Sequence, residues 1–188
     1  TESPENRKHP PLRKGNAGGF LLPDTAERRT DGSQSCDYQE GQVIFVNLPS
    51  TDLDRSRRFY TALGCTINPT FSDDTAICVV WDDTIYFMVL TREKFQQFTN
   101  KELVDPFTQV QTLVALSRDS GEHVDSTLEA GIEAGGKEIG SSQDYGFMYM
   151  RTLEDPDGNV LEFSYMDPRA AAGDLDAYTD DARPASKS

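Results

Sequence analysis

The order of strand-like and helix-like patterns repeats once along the middle of this chain of 188 residues. The first copy comprises a strand at 43–48, a helix after Asp52 that ends before Gly64, and strands at 66–71, 75–81 and 84–90. The second copy comprises a strand at 110–116, a helix from Ser120 that ends before Gly135, and strands at 137–139, 147–153 and 160–166. Strands alternate with a period of two and helices with a period of 3.6. The sequence therefore predicts an α+β fold of two βαβββ modules.

The repeat also predicts the domain organisation. A helix covers one face of each sheet, so the other face stays open, and two such open faces are expected to form a cleft between modules. We predict one domain at 41–168, with modules at about 41–98 and 107–168. Segments 1–40 and 169–188 lack a sustained period and are rich in small and polar residues. They are predicted to be a disordered arm and a disordered tail.

A tight turn followed by a strand places one carboxylate at a defined position. The turn is Asp155-Pro156-Asp157-Gly158-Asn159, in which Pro and Gly favour a sharp reversal of the chain. In the strand that follows, Glu162 points to one face, and Leu161 and Phe163 point to the other. Glu162 is the candidate catalytic residue, and the alternative is a solvated Glu on a half-exposed strand.

The distribution of charge narrows the classes of partner. Residues 41–168 hold 9 Lys and Arg against 21 Asp and Glu, and the whole chain has a net charge of −14. Such a surface repels phosphate backbones and attracts cations, so nucleic acid is not an expected partner. The alternative explanation is that the acidic residues only keep the protein soluble and do not attract a ligand.

The cysteines and the hydropathy of the sequence predict the cellular location of the protein. Cys36, Cys65 and Cys78 are odd in number and lack CxxC spacing, so neither a disulfide framework nor a thiolate metal site is indicated. No apolar run is long enough to cross a bilayer, and the polar N-terminus lacks the apolar core of a secretory signal. We therefore expect a cytoplasmic protein with no membrane partner.

Several short motifs resemble a known superfamily. They are Asn47-Leu48-Pro49, Asp52-Leu53-Asp54-Arg55-Ser56, Phe59-Tyr60, Leu63-Gly64, the turn at 155–159 and Glu162. Together they resemble the vicinal oxygen chelate superfamily, which includes glyoxalase I, bleomycin resistance proteins, fosfomycin-modifying enzymes and extradiol dioxygenases. Segments 92–95 and 144–149 are similar to its predicted lactoylglutathione lyase branch. The resemblance implies a homodimer that binds a small molecule.

The resemblance also implies where a metal would bind. Metal-using relatives take one ligand, usually His, Gln or Glu, from the first strand and one from the last strand of each module. An offset of 66 residues between modules assigns these positions to Phe45, Gln111 and Glu162, with Tyr86 or Met88 as the fourth. Only Gln111 and Glu162 suit a divalent metal, with Asn47 as a further oxygen ligand if the strand slips. We therefore expect no tightly bound cofactor, and a divalent metal remains the alternative.

The non-metal members of the superfamily imply a ligand-binding cleft. It would be lined by Phe45, Asn47, Tyr86, Met88, Gln111 and Glu162, with Trp81, Tyr145, Phe147 and Tyr149 near its rim. Aromatic rings beside carboxylates suit a cationic or aromatic molecule, whereas core packing is the alternative role for these rings. The expected function is small-molecule binding. A metal-dependent lyase or isomerase, or a metal-free enzyme with Glu162 as general base, remain alternatives.

Overall fold

The computed structural model describes residues 42–174 and Tyr178. The first module contains β1 (Ile44–Ser50), α1 (Leu53–Ala62), β2 (Thr66–Asn68), β3 (Ala76–Val80) and β4 (Ile85–Thr91), and α2 (Arg92–Gln96) follows it. The second module contains β5 (Leu113–Ser117), α3 (Gly121–Glu133), β6 (Lys137–Glu138), β7 (Gln143–Asp144), β8 (Met148–Glu154) and β9 (Val160–Met166), and α4 (Pro168–Ala171) follows it. The predicted arm at 1–40 lies outside the described residues, as does most of the predicted tail. Helix α4 occupies the start of that tail.

The two sheets have the same topology. The first has the strand order β1-β4-β3-β2, and the second has the order β5-β9-β8-β6, with the short β7 paired to β8. In each module the first strand runs parallel to the last, and the remaining pairs are antiparallel. The predicted α+β fold of two βαβββ modules is confirmed.

Two predicted strands lose three residues at one end. Strand β2 ends at Asn68 instead of residue 71, because Pro69 has no backbone N–H to donate and begins a turn of 3-10 helix, Pro69–Phe71. Strand β5 begins at Leu113 instead of residue 110. Its partner β9 begins at Val160, which pairs with Leu113, so residues before Leu113 have no strand to pair with.

The ends of α1 follow the sequence signals closely. The side chain of Asp52 accepts a hydrogen bond of 2.9 Å from the N–H of Arg55, which satisfies one free donor at the start of the helix. At the other end, Gly64 has a φ of +92°, and the N–H of Cys65 donates to the carbonyl of Tyr60 at 3.1 Å. This arrangement is a Schellman motif, which requires the left-handed residue that Gly64 supplies.

One hydrophobic core joins the helix-facing sides of both sheets. Its fully buried members include Leu48, Phe59, Phe87, Leu128, Leu161 and Phe163. The open face of each sheet therefore lies on the far side of that sheet from the shared core. Hence the two open faces do not meet across the core of a single chain.

The last hairpin turn of each module docks against the other module. The carboxylate of Asp157 accepts hydrogen bonds from Thr51 and Ser56, and the hydroxyl of Tyr60 donates to Asp155 at 3.0 Å. Asn159 Nδ2 donates to the carbonyl of Pro49 at 3.1 Å. The turn at 155–159 thus satisfies polar groups at the junction of β1 and α1.

The opposite turn uses aromatic packing instead. The ring of Trp81 stacks on Phe163, with centroids 6.0 Å apart, and the guanidinium of Arg118 lies 4.1 Å from the Trp81 centroid. Arg118 Nη2 also donates to the carbonyl of Leu63 at 3.1 Å. Together the two turns hold the modules around their common core.

Among the described residues, no helix is long and apolar enough to span a membrane.

Candidate functional site

Four predicted site residues share the open face of the first sheet. Phe45 on β1 pairs with Tyr86 on β4, and Asn47 pairs with Met88. The rings of Phe45 and Tyr86 stack with centroids 5.1 Å apart. Met88 is buried in a small cluster with Ala76, Cys78 and Leu90, against which Phe45, Phe71, Tyr86 and Phe95 pack. This open face is therefore largely aromatic and apolar.

A cavity of about 510 Å³ adjoins this face, and we call it the linker cavity. It lies between β1, α2 and the segment that connects the modules. Its lining residues are Asn47, Phe95, Phe98, Thr99, Lys101, Glu102, Leu103, Val104, Val110 and Gln111. The structure thus brings Asn47 and Gln111 together, although Gln111 lies before β5 and not within it. Amide groups at Asn47 and Gln111 can each donate and accept hydrogen bonds to a ligand.

Sequence reasoning missed the apolar part of this cavity. Phe95 and Phe98 lie in and after α2, and Phe98 is 60% exposed. The available signal was the group of apolar residues in the connecting segment, which includes Phe98, Leu103 and Val104. Exposed apolar residues that lie close together mark binding surfaces more often than single exposed apolar residues do.

The structure corrects the assignment of Gln111 to a metal position. The N-cap residues Asp52 and Ser120 are 68 positions apart, as are the buried core residues Leu48 and Leu116. The offset of 66 is therefore wrong, and the counterpart of Phe45 is Leu113. Gln111 lies two residues earlier in the chain.

The strand pairing assigns the fourth position. Leu48 pairs with Val89, and its counterpart Leu116 pairs with Phe163, so Val89 and Phe163 are equivalent. The residues one step earlier, Met88 and Glu162, are then equivalent as well. Met88, not Tyr86, therefore occupies the fourth position.

The side chains at these four positions do not fit a multi-ligand metal site. Phe45, Met88 and Leu113 offer no oxygen or nitrogen ligand, which leaves the single carboxylate of Glu162. Among the described residues, no group of three or more His, Cys, Asp or Glu side chains is arranged to hold a metal ion. Divalent metals in proteins need several such ligands for tight binding.

Glu162 lies on the open face of the second sheet. It is half-buried between Ala115 on β5 and Thr152 on β8, while Leu161 and Phe163 are fully buried on the opposite face, as the alternation predicts. The described chain places Glu162 and the Phe45–Tyr86 pair on different sheets. Glu162 therefore lies on a second, separate face.

The four residues expected near the rim are divided between two regions. Trp81 packs into the shared core, so it lies on the helix-facing side and not beside the open face. Tyr149 is also on that side, where its hydroxyl donates to Asp125 of α3 at 2.8 Å. Tyr145 and Phe147 lie in the loop between β7 and β8, with centroids 6.2 Å apart. The expected rim position is thus corrected for Trp81 and Tyr149.

Two carboxyls of the turn at 155–159 titrate differently. Burial raises the pKa of Asp155 to about 6, even though Asn159 and Tyr60 donate hydrogen bonds that act in the opposite direction. Burial also tends to raise the pKa of Asp157, but the hydrogen bonds from Thr51 and the nearby serines outweigh it, and this pKa is lowered. Asp157 is therefore ionised at neutral pH where it contacts the first module.

Comparison with known proteins agrees with this architecture. Residues 42–80 match the family model described as bleomycin resistance protein-like N-terminal. A hypothetical protein from S. aureus has a similar structure, with a TM-score of 0.57 and 23% identity over 68% of this chain and 95% of that one. A glyoxalase/bleomycin resistance protein/dioxygenase family enzyme from Burkholderia phytofirmans PsJN has a TM-score of 0.56 and 18% identity, over 67% of this chain and 99% of that one. A glyoxalase-related enzyme from Fulvimarina pelagi has a TM-score of 0.55 and 20% identity, over 66% of this chain and 87% of that one.

The similar structures and the match at residues 42–80 define the fold class of the protein. The chain has the fold of the glyoxalase/bleomycin resistance proteins. The predicted resemblance to the vicinal oxygen chelate superfamily is confirmed for the fold and for the match at residues 42–80, whereas the lactoylglutathione lyase branch stays a prediction. No curated protein sequence matches the chain.

Proposed function

We propose that this protein binds a small aromatic molecule on the open face of its first sheet, without a tightly bound metal. The observation that carries the proposal is the linker cavity of about 510 Å³, which adjoins the aromatic face through Asn47 and Phe95. Ligand pockets are typically apolar with a few polar groups that fix orientation, and the amides of Asn47 and Gln111 fit that role.

The charge of the protein supports a cationic ligand. Residues 41–168 carry 12 more acidic than basic side chains (21 against 9), so a positively charged ligand is attracted at long range. Stacking on Phe95 or Phe98 adds a favourable term for a flat cation. The proposed ligand is therefore a planar aromatic cation.

A second copy of the chain would complete the site. Strands β1 and β5 each stand at the end of their sheet, which leaves an edge available for pairing. On the open face of the second sheet, Leu113 and Met166 are 51% and 44% exposed. We propose a homodimer in which this face covers the first sheet of the partner and brings Glu162 to the ligand. Analytical ultracentrifugation that finds only monomer at micromolar concentration would contradict it.

Binding is tested by a thermal-shift screen of planar aromatic cations and their uncharged isosteres, followed by calorimetric titration of the best cation. Gln111→Leu should weaken binding roughly five- to ten-fold, because it removes one hydrogen bond to the ligand. Gln109→Leu is the matched control, since Gln109 is exposed on the same segment and does not line the cavity. Equal affinities of the two variants would rule out this site.

An enzyme is the alternative, because Glu162 is a half-buried carboxylate on an open sheet face. Glu162→Gln should weaken binding of the cation in either case, and it should abolish turnover only if Glu162 acts as a general base. Elemental mass spectrometry of protein purified without chelator tests the metal-dependent alternative. One retained ion per chain would overturn the metal-free proposal.

We also propose a cytoplasmic location, since Cys65 and Cys78 are free thiols.

A further inference from the structure

We propose that a second cavity, formed by α3, the loop before β8 and the end of β9, binds the ammonium group of a small organic cation. This ammonium cavity has a volume of about 500 Å³. Its lining residues are Ser120, Gly121, Glu122, Asp125, Asp144, Gly146, Phe147, Met148, Tyr149 and Tyr165. It shares no lining residue with the linker cavity. The proposal is therefore independent of the function proposed above.

Three aromatic side chains line this cavity. Phe147 and Tyr149 lie on the loop and on β8, and Tyr165 lies on the neighbouring strand β9. The hydroxyl of Tyr149 is fixed by its hydrogen bond to Asp125, so its ring is held beside Gly121. Aromatic rings attract ammonium groups, and the attraction grows when water is excluded.

The carboxylates of Glu122, Asp125 and Asp144 also line the cavity, and none of the lining residues is basic. Arg151 forms ion pairs with Asp125 at 2.8 Å and with Glu138 at 2.9 Å. Its hydrogen bond to Asp125 lowers the pKa of that carboxyl, which stays ionised. Glu122 and Asp144 then leave the cavity with a net negative charge, which disfavours an anion.

The same residues do not suit a metal ion. No group of three or more described His, Cys, Asp or Glu side chains is close enough to coordinate one. The cavity is also much larger than a bare ion needs, and aromatic rings form part of its lining. An ammonium group attached to a small organic body satisfies both the carboxylates and the rings.

The test uses choline and its uncharged isostere 3,3-dimethylbutan-1-ol as probes of the full chain. Amide shifts of Gly121 and Gly146 are followed by nitrogen-15 NMR during each titration. Choline should give saturating shifts, and the alcohol should bind roughly ten-fold more weakly. Equal binding of the two probes, or no saturating shift with choline, would overturn the proposal.

Variants locate the binding. Gly121→Leu fills the cavity, since a Cβ there already lies 3.6 Å from Tyr149 Cδ1, and it should abolish the choline shifts. Glu122→Gln should weaken binding several-fold by removing one charge. Glu129→Gln is the control, because Glu129 is exposed on the same helix and lies outside the lining. Choline shifts that persist in Gly121→Leu would reject the site. Choline shifts that are unchanged in Gln111→Leu would show that choline binds the ammonium cavity independently of the linker cavity.

Discussion

The carboxylate of Asp157 accepts a hydrogen bond from the backbone N–H of Thr51 at 2.8 Å and a second from its hydroxyl at 2.7 Å, although 106 positions separate the two residues. Arg55 Nη2 and the hydroxyl of Ser56 donate to the same carboxylate, at 2.8 and 3.0 Å. Asp157 is only 4% exposed. One buried side chain thus satisfies four donors at the start of α1.

Asp157→Asn should lower the free energy of unfolding by about 2 to 4 kcal/mol, because buried donors lose a charged acceptor and the amide adds donors of its own. Urea denaturation followed by circular dichroism measures this change. Asp54→Asn is the control, since Asp54 is exposed in the first turn of the same helix. Equal midpoints for the two variants would show that the turn at 155–159 does not hold the modules together.

Asp155 makes stability depend on pH. Burial raises the pKa of this carboxyl from 3.8 to about 6, so its protonated form is favoured in the folded protein. The stability that it contributes is fully present below its unfolded pKa and is lost as the pH rises through about 6. Between pH 5 and pH 7, the free energy of unfolding of the wild type should fall relative to that of Asp155→Asn by roughly 1 kcal/mol. Parallel curves for the two proteins would refute the raised pKa.

Trp81 reports on the docking of the modules, because it is the only tryptophan in the sequence. Arg118→Met removes the guanidinium 4.1 Å from its ring and leaves a side chain of similar length. The variant should lose about 1 to 2 kcal/mol of stability and shift the tryptophan emission. Arg57→Met, in α1, is the control. An unchanged emission spectrum and an unchanged urea midpoint would show that this contact is energetically neutral.

Gly136 lies where a side chain has no room. A Cβ there would lie 2.9 Å from the carbonyl oxygen of Glu154 and 2.8 Å from Phe59 Cε2. Gly136→Ala should therefore destabilise the fold by about 2 to 3 kcal/mol, since backbone atoms would have to move. Gly64→Ala meets no atom within 4 Å and should cost only about 1 kcal/mol of left-handed strain. Thermal unfolding should rank them in this order, and the reverse order would contradict the packing around Gly136.

The sequence predicted the order of elements because Asp52 and Ser120 begin their helices and Gly64 ends α1 with strong local signals. It did not predict the register of the second module. A period of two cannot distinguish an offset of 66 from one of 68, because both keep the same residues on the same face. The two N-cap residues would have settled the choice, since a helix start has no such ambiguity.

The composition of the candidate site was only partly predictable. Alternation predicted that Phe45, Asn47, Tyr86 and Met88 share a face, because side chains two apart on a strand must do so. The shared core was not predictable, since periodicity shows that a face is buried but not which element covers it. Trp81 illustrates the difference: its aromatic side chain suits a ligand site and a core equally well.

The long-range docking of the turn at 155–159 has a consequence for synthesis in the cell. Ser56 and Tyr60 reach their carboxylate partners only after the ribosome has made nearly the whole domain. Until then, the nascent first module presents unmatched polar groups and half of an apolar core to water. Contacts of such long sequence separation slow folding, so the emerging chain depends on its last hairpin to escape aggregation.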